Sequence, residues 1–397
     1  MLFRGSKQTD RQIACGIDIG AYAIKLVALE RCEAGLAFRH VALCATPADT
    51  IQDEVIVKPR VLAAHIQQMV RESRLPIRAA SIAIPVEQAM VKWINLPRMS
   101  RSEMRAAASF EATKFLPYPV EKAEIGIVAS DDAGYDDSGN MRALFVAAPR
   151  DVARSRAETL EMAGLSVVGA ELESFALLRA LRESEGAPKV LWRGQPVAYV
   201  QMGHRVSSLC VLQDTDLRFV RGIAWGGERL TQAFADQTEC DATEAQEIKE
   251  RADSTIDESG VFHWHEGANI RLSEAFVPEL DRLRREIQRL LNYYRSLFPE
   301  RSYEGILDKV VLCGGAAGLN GLAEYFTRVL RVEVSIQNPL HIMGVQDLPI
   351  EQQTDRSHSH GFAVAIGSAL GELQELAATG GHAQHGPPEF VWRRKAA

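Results

Sequence analysis

The stretch IACGIDIGAYAIKLVALE, Ile13 to Glu30, decides the fold. Its two apolar runs, Ile13 to Ile19 and Ala23 to Leu29, have strand length and are joined by a short glycine turn, which reads as a β-hairpin. Asp18 and Gly20 interrupt a segment that is otherwise suited to a core. Backbone N–H groups in a glycine turn can donate to phosphate oxygens with no Cβ in the way. An acid at the start of such a turn repels phosphate unless a cation lies between them, so Asp18 reads as an indirect ligand of hydrated Mg²⁺. Lys25 is open to two readings, a phosphate partner or an ordinary lysine on a strand face.

The theme recurs in PVAYVQMGHRVSSLCVLQDTDLRFVRGIAWGG, Pro196 to Gly227, as strand, glycine turn, strand, turn and strand, with a helix from about Glu228. A third glycine turn sits in KVVLCGGAAGLNGLAEYF, Lys309 to Phe326, between a buried strand and a helix. None is a Walker loop or a dinucleotide fingerprint, and each alone is a tight turn. Together they describe two related lobes whose hairpins face one cleft and hold a polyphosphate.

A chain of 397 residues exceeds one ordinary core, so two domains, or one with insertions, is expected. The net charge of −7 and the absence of a long Lys/Arg face argue against a dedicated nucleic-acid binder. The six cysteines form no C-x-x-C pair and read as reduced core thiols of a cytosolic protein. No signal-peptide pattern opens the chain and no apolar run reaches roughly 18 residues, so a cytoplasmic protein is expected, with membrane association only through a partner.

Between the hairpins, Pro59 to Ser73 has helical periodicity and AASIAIP is a further strand. From 86 to 166 the sequence reads as a compact α/β insertion. It comprises the strand EQAMVKWINLP, a helix capped by Ser100 with Glu103 three residues on, a hairpin across the acidic DDAGYDDSGN, and a closing helix RDVARSRAETLEMAG. Residues 240–299 read as helical and charged, with Leu280, Leu283, Ile287, Leu290, Leu291 and Tyr294 on one face. The last twenty or so residues read as a flexible tail.

The segments GIDIGAYAIKLVAL, SIAIPVEQAMVKWINLP, AAASFEATKFLPYPVEKAEI, AELESFALLRAL and VVLCGGAAGLNGLAEYF, in this order, resemble the PilM family. These are actin-like cytoplasmic proteins of type IV pilus assembly, related in fold to FtsA. The resemblance covers roughly residues 12 to 375. It implies an α/β, bilobed actin-like ATPase fold with an FtsA-type insertion (1C) in the first lobe. The implied divisions are a first-lobe core (12–85, 167–195 and 341–377), the insertion (86–166), a second-lobe core (196–239 and 300–340), a helical subdomain (240–299) and a tail (378–397).

The same resemblance implies ATP and Mg²⁺ as cofactors and gives the turns their roles. Asp18 to Lys25, with Gly20, Ala21 and Tyr22, is similar to the first phosphate motif. Gln201 to Ser208, with Gly203 and His204, is similar to the second, and Gly314 to Gly318, with Gly315, to the adenosine motif. Gly227 and Glu228 fall in the segment that passes near the ribose, and Lys249 is a ribose or adenine neighbour. ELESFALL is similar to the first interlobe connector, where Glu173 takes the place of the residue that positions attacking water. HGFAVAIGSALGEL is similar to the second connector.

As partners the resemblance implies the cytoplasmic N-terminal peptide of a PilN-type membrane protein and other pilus alignment and motor components, at the inner face of the inner membrane. The docking groove of the family lies between the first-lobe core and the insertion. Trp93, Ile94 and Phe115 either line it or form the insertion's core. The second phosphate motif departs from the family's D-x-G, because Gln201 stands where the acid is usual and supplies no charge to hold Mg²⁺ or orient water. Gln246 likewise stands where relatives often carry an acid. ATP binding with weak or absent hydrolysis is therefore expected. Two other readings fit the same residues. One is an active ATPase or small-molecule kinase, and the other is a self-associating, FtsA-like polymer held to a membrane by EFVWRRKAA.

Overall fold

A computed structural model describes residues 13–32, 35–97, 99–129, 139–183, 196–213, 216–297, 307, 309–340 and 356–379. The acidic loop at 130–138 and the tail beyond 379 lie outside these residues. The chain opens with β1 (Ile13–Ile19), β2 (Ala23–Cys32), β3 (Gly35–Ala45), the short β4 (Ile51–Gln52) and β5 (Val55–Ile56), α1 (Pro59–Ser73) and β6 (Ala79–Ile84). There follow β7 (Met90–Leu96), α2 (Arg101–Ala112), β8 (Ala123–Ala129), β9 (Met141–Pro149), α3 (Arg150–Met162), β10 (Ser166–Leu172) and α4 (Glu173–Glu183). The second half holds β11 (Pro196–Met202), β12 (Ser207–Gln213), β13 (Asp216–Ile223), α5 (Glu228–Thr238) and α6 (Ala242–Glu250). It continues with β14 (Thr255–Ile256), β15 (Phe262–Glu266), β16 (Asn269–Ser273), α7 (Phe276–Ser296), β17 (Lys309–Cys313), α8 (Leu322–Leu330), β18 (Glu333–Ile336) and α9 (Ala363–Thr379).

Two five-stranded sheets share one topology. The first runs β3-β2-β1-β6-β10 and the second β13-β12-β11-β17-β18. In each, the first three strands of the sequence pair antiparallel as a meander, and two later strands add in parallel beside the first. The faint likeness of the two glycine hairpins in sequence is thus the trace of a repeated sheet. In the first hairpin Asp18 stands directly opposite Lys25, and in the second Gln201 stands opposite Ser208.

Helices α4 and α9 form a layer shared by the two sheets. The core around them takes Ile17 and Leu26 from the first sheet, Phe175 and Leu177 from α4, Ile366 and Leu370 from α9, and Tyr199 and Cys210 from the second sheet. The packing is backbone on backbone. A Cβ built on Gly367 of α9 would lie 1.7 Å from the Ala176 carbonyl oxygen of α4, and one on Gly16 of β1 would lie 2.0 Å from the Ala365 carbonyl oxygen. Arg179 of α4 secures the crossing from a buried position. Its guanidinium donates to the Gly367 carbonyl at 2.7 Å and to both carboxylate oxygens of Glu171 at 2.6 and 2.9 Å. Such a fork-to-fork pair satisfies both charges where water cannot.

The segment 86–166 divides between two cores. The sheet β7-β9-β8 packs under α2 around Ile94, Leu96, Met104 and Phe145. The capping box predicted at Ser100 and Glu103 starts α2. Helix α3, expected to close the insertion, instead buries Val152, Ala153, Ala157 and Leu160 in the first core. Its apolar face is indistinguishable in sequence from one that covers the smaller sheet. The segment 240–299 also differs from expectation. Besides α6 and α7 it contains the three-stranded sheet β14-β15-β16, whose two-to-five-residue strands are too short to show a period. Helix α7 buries the predicted face, from Leu280 to Tyr294.

Gly367→Val forces the backbone of α4 and α9 apart. The expected outcome is a loss of about 3 kcal/mol or more in urea unfolding, or no soluble protein, whereas Gly315→Ala, with nothing within 4 Å of its Cβ position and no left-handed backbone, retains the fold.

Candidate functional site

Three turns converge on one cleft of about 410 Å³. The first, Gly20 to Tyr22, closes β1 on β2, and the end of β3 holds it: Thr46 donates its hydroxyl to the Gly20 carbonyl at 2.7 Å and its amide to the Tyr22 carbonyl at 2.9 Å. The second, Gly203 to Val206, closes β11 on β12. The N-terminus of α5 is tied to it, with the amides of Gly227 and Glu228 donating to the carbonyls of Gly203 and His204, both at 2.9 Å. The third follows β17, which lies parallel to β11 with Cys313 beside Gln201. There Gly314 adopts φ +88°, and a Cβ would lie 2.6 Å from the Met202 carbonyl oxygen, so only glycine fits this left-handed turn. A single 3₁₀ turn, Gly315–Gly318, separates it from α8, where the sequence suggested direct entry into the helix.

Of the residues singled out in the sequence, Asp18, Gly20, Ala21, Tyr22, Lys25, Glu173, Gly203, His204, Gly227, Lys249, Gly314 and Gly315 all line this cleft. Glu228 does not. Its half-exposed side chain turns to His204 and Arg205, at 3.8 and 3.9 Å. The three residues considered for a groove also part company. Ile94 is buried in the insertion core, Phe115 packs edge-on to Phe145 under the Lys92 ammonium, and Trp93 on the opposite face of β7 donates its indole N–H to the Leu217 carbonyl of β13 at 2.7 Å. Strand alternation separates Trp93 from Ile94, so they do not share one surface.

Charges in the cleft are set by burial and pairing. Lys25 Nζ meets Asp18 Oδ2 at 2.8 Å, so the two readings of Lys25 reduce to one, a cation inside the cleft and paired with the acid. Lys249 is buried and, among the described residues, donates to neutral oxygens: the Gly227 carbonyl at 3.0 Å, Thr231 Oγ1 at 2.5 Å and Gln246 Oε1 at 2.7 Å. Burial lowers its pKa to about 8. Burial, reinforced by the charges of Asp18 and Glu54, raises Glu173 to about 7, against the amide of Val86 that donates to its carboxylate at 3.2 Å. Burial also lowers His204.

Glu54 lines the cleft as well, and nothing in the residue types of TIQDEVIV marks it. It sits in the two-residue turn between β4 and β5, where Asp53 and Glu54 have φ of 46° and 64°, the left-handed pair that a tight hairpin demands and that Asn-Gly normally supplies. The buried Arg156 of α3 holds Glu54 by its carbonyl at 2.5 Å and its carboxylate at 3.1 Å. Only the packing of α3 on the first core brings that guanidinium there.

Three buried polar atoms on the cleft-lining residues have no partner among the described residues: Gln201 Oε1, Ser207 Oγ and Ser208 Oγ. Unpaired buried groups are costly, and a polar ligand in the cleft satisfies them. Glycine turns, a lysine at each side and unpaired hydroxyls together fit a phosphorylated ligand. A directly ligated metal fits less well. Among the described residues no three His, Cys, Asp or Glu side chains gather to hold one, and Asp18 is already engaged by Lys25.

Glu173 generates a pH-dependent prediction. Between its unfolded pKa, about 4.3, and its folded value of about 7, the unfolded chain has released this proton while the folded protein still holds it. Its contribution to stability is therefore full below the lower value and is lost as pH rises through the upper one. Glu173→Gln removes the loss, so from pH 5 to pH 8 the variant should gain on the parent by on the order of 2 kcal/mol in urea unfolding. A difference independent of pH contradicts the assignment.

The sequence profile of the family described as type IV pilus assembly protein PilM matches residues 16–373. Among solved structures, the chain is similar to the PilM–PilN type IV pilus biogenesis complex, at 25% identity and a TM-score of 0.75, covering 91% of this chain and 99% of that one. It is also similar to MreB5 of Spiroplasma citri bound to ADP (11% identity, TM-score 0.51, 94% and 99% covered). The ethanolamine utilization protein EutJ from Carboxydothermus hydrogenoformans gives 16% identity and a TM-score of 0.50, with 90% and 89% covered. These neighbours place the two repeated sheets in the actin-like ATPase fold. With a profile match spanning nearly the whole chain, the chain belongs to the PilM family of type IV pilus assembly proteins.

Proposed function

We propose that this protein is a cytoplasmic, ATP-binding scaffold of type IV pilus assembly. It docks the cytoplasmic N-terminal peptide of a PilN-type membrane protein and so links the inner-membrane alignment complex to the motor side. The observation that carries the scaffold reading is the likeness, over 99% of its length, to a chain solved as a PilM–PilN complex. Among the described residues no helix is long and apolar enough to cross a membrane, which fits attachment through a partner.

The nucleotide reading rests on the cleft. Gly20 to Tyr22 and Gly203 to Val206 would face the phosphates, Lys25 would neutralise them, and Gly314, Gly315 and Lys249 would border the adenosine side. Mg²⁺, when bound with ATP, supplies the charge that lets phosphate lie near Asp18, which would hold it through water. Turnover is disfavoured on two counts. Gln201 carries no charge, and Glu173 at about 7 is half protonated near neutrality, so it is a poor orienter of water there.

Isothermal titration with Mg·ATP should show binding, and Lys25→Ala should weaken it by about tenfold or more through loss of a charge-assisted contact. A synthetic PilN-type N-terminal peptide should co-purify with the protein. Failure of every such peptide, with and without Mg·ATP, removes the scaffold reading and leaves the nucleotide one standing.

A further inference from the structure

The tips of the two hairpins touch across the cleft. Tyr22 projects from the first turn, and its ring lies 5.0 Å from the imidazole of His204 in the second turn, tilted by 37°. Beyond that imidazole the phenol donates to Glu250 Oε2 of α6 at 3.4 Å and also meets Gln246. Gln246 in turn donates to Glu250 at 2.5 Å and accepts from Lys249 at 2.7 Å. One side chain of the first sheet therefore contacts two separate elements on the far side of the cleft, the hairpin of the second sheet and α6. Its base is held by Thr46, whose amide donates to the Tyr22 carbonyl. The backbone of Tyr22 is thus anchored to the first sheet while its side chain reaches across the cleft.

The ring pair lies between the two turns that would face the phosphates, and both residues line the cleft. A phosphate chain laid between those turns would meet this aromatic contact. A tyrosine here adds little as a phosphate ligand, because its hydroxyl already donates to Glu250. It is suited to closing the space, since an aromatic ring carries a large apolar face on only two rotatable bonds.

We propose that Tyr22 and His204 form a gate across the cleft, which a nucleoside triphosphate parts to enter and to leave, so that this contact sets the rate of nucleotide exchange. The proposal rests on the nucleotide reading of the cleft. It assigns Tyr22 a role distinct from that of the phosphate-facing glycines on either side of the cleft. Gates of this kind exchange speed of entry for length of residence.

Stopped-flow fluorescence of a mant-labelled ATP analogue with the full chain tests it. Tyr22→Ala should raise the association and dissociation rates together, each by about tenfold, while Tyr22→Phe, which keeps the ring on His204 and loses only the phenol's contacts to α6, should raise both by less. A rise in dissociation alone would make Tyr22 a ligand contact and overturn the gate, as would unchanged rates. Hydrogen exchange without nucleotide separates this from the parent reading. Tyr22→Ala should speed exchange at residues 19–23 and at 203–206 together, and no change at either overturns the bridge itself. If the parent protein gives no nucleotide signal at millimolar concentration, the nucleotide reading fails and the gate with it, whatever the exchange shows.

Discussion

The crossing of α4 and α9 is the constraint on which the rest of the molecule depends. Two helices that meet at the distance set by Gly367 and Ala176 leave no room for side chains between their backbones, so their relative position is fixed by the main chain. Both sheets pack on this pair, with Ile17 on one side and Tyr199 on the other entering the same core. The two hairpins are therefore set relative to each other by a rigid element that neither contributes to. Buried Arg179, paired with Glu171 and donating to the Gly367 carbonyl, makes the arrangement specific, since a slide of one helix along the other would strand a charge.

From this follows the chemistry of the cleft. Each sheet delivers a turn that lines the cleft, and the parallel neighbour β17 delivers a third beside the second. The repeat is complete in topology and incomplete in charge. The first hairpin brings Asp18 opposite Lys25, an internally neutral pair, while the second brings Gln201 opposite Ser208, two neutral groups with unpaired buried oxygens. Such an arrangement offers a phosphorylated ligand neutral hydrogen-bonding groups together with the two cleft lysines, Lys25 and Lys249.

The hairpins, the capped helix α2 and the amphipathic α7 were legible in the sequence because each is local: a period, a cap or a glycine between apolar runs specifies it. The cleft-lining residues with glycine, Asp18 and Lys25 were legible for the same reason, together with the family resemblance. What was not legible was set by contacts far along the chain. Helix α3 shows an apolar face but not which core it covers, and with it went Arg156 and the cleft position of Glu54, about a hundred residues apart in sequence. The small sheet β14-β15-β16 was hidden by its brevity. Trp93 and Ile94 are adjacent in sequence and opposed in space, which the pleat dictates once the strand is recognised. The contact between Tyr22 and His204 depends on how two hairpins far apart in sequence are aimed, and nothing in either hairpin encodes that aim.

The central claim is that the two hairpins and the third glycine turn form one phosphate-binding cleft. A crystal structure of the full chain with Mg²⁺ and a non-hydrolysable ATP analogue tests it most directly. The account predicts the phosphates between Gly20–Tyr22 and Gly203–Val206, with the nucleoside against Gly314 and Gly315. Nucleotide bound anywhere else, or phosphates that touch one hairpin and leave the other unused, would contradict it.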